Sequence, residues 1–125
     1  MSVIRHAQSR RSETPAGVMT TFASPTLGGA TRALWRVEAT PATSGPLHDF
    51  DAEQVWTFLG GTATIELGDE TFTVAPGDTV VMPPSTPRRV TAGADKGFTA
   101  VVTAPAGARA ILPDGTVHGV PPWIA

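Results

Sequence analysis

His48, Gln54 and Arg88 are the side chains best suited to chemistry. They lie in two short stretches, GPLHDFDAEQVWTFLGG (residues 45–61) and GDTVVMPPSTPRRVTA (residues 77–92). His48 carries an imidazole that titrates close to neutral pH, so it can bind or move a proton. Gln54 offers an amide that donates to or accepts from a carbonyl or hydroxyl. Arg88 offers a permanently charged fork of N–H donors, suited to a carboxylate, enolate or phosphate oxygen. Trp56 and Phe58 share a face with Gln54, because side chains alternate along a strand. They would supply apolar walls, with Phe50, Met82 and Trp35 as further candidates. Glu53, one residue before Gln54, points the other way by the same rule.

Little else in the chain invites chemistry. It has no cysteine, which removes disulfides, thiolate metal sites and a cysteine nucleophile. No serine stands in a G-x-S-x-G elbow. The glycine pairs Gly28–Gly29 and Gly60–Gly61 read as turns, lacking the strand–loop–helix setting of a phosphate cradle. A net charge of −2 without a basic run argues against nucleic acid or an anionic membrane as partner. No stretch is apolar enough for a signal peptide or a membrane span, so a cytoplasmic location is expected. His6 and His118 fall in weakly patterned segments and read as solvated.

The positioning elements read as strands. The 13 glycines and 12 prolines are scattered through 125 residues and punctuate short apolar segments at close intervals, the pattern of an all-β sandwich or barrel. In TRALWRVEAT, Ala33, Trp35, Val37 and Ala39 share one face, with Arg32, Leu34, Arg36 and Glu38 on the other. GVMTTFAS, QVWTFLG, the hairpin GTATIELGDETFTV, DTVVMP and FTAVVTAP read as further strands. No window carries a 3.6-residue apolar stripe, so little helix is expected. One domain spans 1–125: an N-terminal arm (1–16), a barrel (17–105) and a C-terminal tail (106–125). Arm and tail are expected to pack on the barrel or on a second subunit.

The two stretches resemble the motifs of the cupin superfamily, small double-stranded β-helix (jelly-roll) barrels. The chain resembles a small single-domain bacterial cupin with degenerate metal-binding motifs. Against G-x5-H-x-H-x3-4-E-x6-G, His48 takes the first histidine position, Phe50 the second, Gln54 the glutamate and Gly61 the last glycine. The leading glycine is displaced to Gly45. Against G-x5-P-x-G-x2-H-x3-N, Gly77 and Pro83 match, while Ser85, Arg88 and Ala92 replace glycine, histidine and asparagine.

Metal-binding cupins hold a divalent cation with three histidines and a carboxylate, so the resemblance implies a barrel with a site at these positions. Here only His48 survives, Gln54 is a weak ligand, Phe50 donates nothing and the Arg88 cation opposes a metal. No cofactor is therefore expected. A divalent metal is disfavoured, and would need His48, Gln54 and an added ligand such as His118. The resemblance also turns His48 and Arg88 toward a common cavity. The expected function is a metal-independent small-molecule binder, with His48, Phe50, Gln54, Trp56, Phe58, Met82 and Arg88 contacting an anionic or carbonyl-containing metabolite. The alternatives are an isomerase, cyclase or lyase using His48 as acid/base and Arg88 as oxyanion stabiliser, and a metal-dependent dioxygenase-type cupin. A blander reading fills the barrel and pairs Arg88 with Asp49 or Asp51 at the surface. By resemblance a homodimer is expected.

Overall fold

Alternation decides which face each strand buries. In a computed structural model describing residues 3–125, twelve strands follow a single 3-10 turn at His6–Gln8. They are β1 (Arg10–Thr14), β2 (Gly17–Ala23), β3 (Arg32–Ala39), β4 (Asp49–Phe50), β5 (Gln54–Gly61) and β6 (Ala63–Leu67). There follow β7 (Glu70–Val74), β8 (Thr79–Met82), β9 (Arg88–Ala92), β10 (Phe98–Pro105), β11 (Ala110–Ile111) and β12 (Val117–Gly119). In β3 the expected face of Ala33, Trp35, Val37 and Ala39 is buried, and Arg32, Leu34 and Glu38 are exposed. β10 alternates in the same way and buries Phe98, Ala100, Val102 and Ala104 against it.

A six-stranded sheet runs in the order β1-β2-β3-β10-β5-β8, with antiparallel pairing at each step. It faces two three-stranded sheets, β7-β6-β9 and β12-β11-β4. Strands distant in sequence thus lie side by side, as in a jelly roll. The expected hairpin forms with Leu67 opposite Glu70, and Gly68 takes the positive φ of 57° that its turn needs. Gly61, the last glycine of the first motif, has φ 69°, and a Cβ there would meet the Gly97 carbonyl oxygen at 2.0 Å. Only glycine fits that crossing.

Both ends of the chain carry strands of their own. Residues 10–14 of the arm form β1, an integral edge strand paired with β2. RRSET carries no apolar residue, so no periodicity could announce it; the ladder with β2 and the bonds Arg10 makes to the tail supply its order. The tail carries β11 and β12, then docks on its own barrel. Ile124 is fully buried, the Thr21 hydroxyl donates to the Trp123 carbonyl at 2.8 Å, and Arg10 Nη2 donates to the Pro122 carbonyl at 3.1 Å. Among the described residues no helix is long and apolar enough to cross a membrane.

Candidate functional site

The two motifs meet through their backbones. The His48 N–H donates to the Arg88 carbonyl at 3.1 Å, and the Arg88 N–H donates to the His48 carbonyl at 2.7 Å. Residues that exchange both bonds stand directly opposite one another, so their side chains leave the pair on one face. Phe50, two residues after His48, shares that face. Its ring lies 5.3 Å from the imidazole, edge to face, and 5.8 Å from the Arg88 guanidinium carbon. Gln54 opens β5 opposite Met82.

These side chains line a cavity of about 990 Å³, at the upper end of the roughly 300–1,000 Å³ usual for small-molecule sites. His48, Phe50, Gln54, Trp56 and Arg88 all reach it, so the barrel is not filled. Phe58 and Met82, also expected in the pocket, do not line it: both are 0% exposed and belong to the core. Phe58 does share Gln54's face, but it lies further along β5, where Phe98 packs on it at 5.3 Å and Trp56 stacks at 5.9 Å. Glu53 is exposed on the opposite side. Trp35 lines the cavity as anticipated, and Trp123 and His118 reach it from the tail. Phe98 and residues 12–16 also line it, without having been expected. Phe98 had a signal, the inward phase of β10; the polar segment 12–14 had none.

Arg88 is 1% exposed and forms no ion pair among the described residues. Its Nε donates to the Thr86 carbonyl at 3.1 Å, and its Nη2 to the Pro83 and Thr86 carbonyls at 2.8 and 2.9 Å. Nη1 is buried without a partner. The loop that supplies these carbonyls bends at Ser85, where φ is 57°, at the position the second motif gives to glycine. Burial pushes the guanidinium down to about 10, against a smaller opposing pull from the Asp49 charge, so it stays cationic at neutral pH. The surface pairing with Asp49 or Asp51 does not form; Asp51 pairs with Arg109 instead, at 2.7 Å.

Gln54 is 1% exposed. Its Oε1 accepts from Trp56 Nε1 at 3.1 Å, and its Nε2 is buried without a partner. His48 Nδ1 lies 2.8 Å from the Pro46 carbonyl. Burial moves its pKa below the ordinary 6.5; the Pro46 bond opposes this, the Arg88 charge adds to it, and Asp49 opposes it weakly.

This donor set does not fit the metal that the cupin resemblance implies. Among the described residues no three His, Cys, Asp or Glu side chains converge as a metal site requires. At the four motif positions stand one imidazole, a phenyl ring, an amide whose oxygen is already engaged, and a buried cation.

A sequence comparison with curated proteins finds no match. In solved structures the fold recurs. A cupin-2 domain from Rhodospirillum rubrum superposes with a TM-score of 0.75 at 22% identity, over 90% of this chain and 80% of that one. The polyketide cyclase RemF from Streptomyces resistomycificus superposes with a TM-score of 0.74 at 21% identity, over 96% and 85%. An oxalate decarboxylase from Bacillus subtilis gives 0.68 at 17% identity; the match covers 79% of this chain but only 28% of that enzyme. At these identities the likeness speaks for the fold alone. The family model described as a Cupin domain matches residues 35–104, more than half of the chain and spanning both motifs. The barrel, the motif frame and this match agree: the chain belongs to the cupin family.

Proposed function

We propose that this cupin binds a small organic molecule with an anionic or carbonyl-bearing head, without a metal. One observation carries the reading: Arg88 Nη1 and Gln54 Nε2 are buried donors without partners, on two side chains that line a large, mostly apolar cavity. An unmade hydrogen bond in a buried site costs about 1–3 kcal/mol, more at a charge, so a ligand oxygen that met both donors would recover it. Aromatic walls would hold the body of the ligand.

An enzymatic reading has its own support. The imidazole of His48 is held by Pro46 and shifted toward its neutral form beside a buried cation, a pairing suited to acid/base work on a developing oxyanion. Isomerisation, cyclisation or elimination needs no more equipment than this, and RemF is a cyclase on the same fold. A cytoplasmic homodimer goes with either reading; Leu34, Leu59 and Val81 are exposed on the outer face of the six-stranded sheet.

The test is isothermal titration of chelator-treated protein with 2-naphthoate, with metal content measured per chain. Saturable binding without metal is the expected result. Failure to bind, or binding that returns only with an added divalent cation, would sink the proposal.

A further inference from the structure

We propose that the cavity selects molecules that carry a hydroxyl or enol O–H beside a carbonyl or carboxylate oxygen, on an aromatic or alicyclic body. The inference rests on the small-molecule reading above and adds which way the polar groups are turned. Indole Nε1 can only donate. The Gln54 atom that it meets at 3.1 Å must therefore be the carbonyl oxygen. The buried, unpartnered end of that amide is then the NH2, which can only donate. A backbone carbonyl can only accept, so His48 Nδ1, 2.8 Å from the Pro46 oxygen, must carry the ring hydrogen. In the neutral imidazole Nε2 is then left as a bare acceptor. Arg88 has spent Nε and Nη2 on the loop carbonyls and keeps Nη1 as a donor.

The site therefore presents two donors and one acceptor, each oriented by a neighbour that allows no other choice. A plain carboxylate would satisfy the donors and leave His48 Nε2 idle. An amine head would set its own hydrogens, and its charge, against Gln54 and Arg88. An O–H next to an acceptor oxygen engages all three groups: the hydroxyl donates to Nε2, and the neighbouring oxygen accepts from Gln54 and Arg88. The remaining walls include Trp35, Trp56, Phe98 and Trp123, which suit a ring rather than a flexible chain.

Three probes with one body test this: 3-(2-naphthyl)lactate, its O-methyl ether and 3-(2-naphthyl)propanoate. All keep the carboxylate, and only the first can donate from the neighbouring oxygen. In isothermal titration the lactate is expected to bind about tenfold tighter than the other two, the usual scale for one buried hydrogen bond. His48→Phe should bring the three within about twofold of one another, with folding checked by circular dichroism. Equal affinities for the three probes in the unmodified protein would overturn the inference and leave the small-molecule reading standing. Failure of all three to bind would overturn both. The ratio in the unmodified protein decides the matter even if the variant does not fold.

Discussion

Arg88 and Arg109 flank the same end of the barrel and are held in opposite ways. Arg109 lies at the surface, where its Nε meets Asp51 Oδ2 at 2.7 Å and its backbone N–H meets Asp51 Oδ1 at 2.7 Å. Charge and partner are matched, and water screens both. Arg88 is buried; among the described residues its side-chain hydrogen bonds all go to neutral carbonyls, and one nitrogen is left over. The surface arginine fastens β11 to the loop after β4 and does not line the cavity. The buried one has its orientation fixed by the protein but its charge unanswered. A binding group that is held rigidly yet left unpaired loses little on meeting its ligand, which is the advantage of preorganisation.

The same substitution at both arginines gives the sharpest contrast. Arg88→Leu should weaken 2-naphthoate binding by roughly tenfold to a hundredfold, the range for a lost charge-assisted hydrogen bond, whereas Arg109→Leu should change it less than about twofold. Comparable losses by titration calorimetry would erase the distinction between the two sites. Gln54→Leu comes next. It should cost about tenfold in affinity while moving the ligand-free stability by no more than ~1 kcal/mol, because the unpaired amide donor disappears along with the acceptor for Trp56 Nε1. A strongly destabilised variant would mark Gln54 as a structural residue instead.

Acid should reveal the buried side of the comparison before the exposed one. Burial holds the His48 pKa below 6.5, so between its folded value and 6.5 the unfolded chain binds the extra proton. The contribution to stability is complete above 6.5 and is lost as the pH falls toward the folded value. Thermal melts should therefore drop over that interval, and His48→Gln should flatten this part of the profile; an unchanged profile would show that the imidazole is not desolvated. Asp51 responds at lower pH. Desolvation, the largest single influence, raises its pKa, but the Arg109 hydrogen bonds and charge together outweigh it and hold it below 3.8. Its contribution is present above 3.8 and fades as the pH falls through the folded value. Asp51→Ala should cost only ~0.2–1 kcal/mol in urea denaturation at neutral pH, and a larger loss would mean that the clasp holds more than an exposed pair can.

Much of the fold was legible because period and punctuation act locally. The alternation of β3, the hairpin at Gly68 and the glycine at 61 each follow from a few neighbouring residues. β1 was not legible, since its order comes from pairing with β2 and not from its own composition. In the candidate site, alternation along β5 turns Phe58 inward. It could not tell that Phe98 and Trp56 would seal Phe58 away from the cavity, because alternation assigns a face and not a depth. Trp35 was named, while Phe98 went unnamed although its strand alternates as cleanly.

What the sequence determined by itself was the barrel, the motif frame, and a donor set that has exchanged metal ligands for an imidazole, a ring, an amide and a cation. These depend on residue types and spacings, which a linear string contains. Only the tertiary structure decided how those groups are turned: the amide by an indole two residues away, the imidazole by the Pro46 carbonyl, the guanidinium by the bend at Ser85. A hydrogen bond depends on distance and direction, and the spacing of residues along a chain records neither.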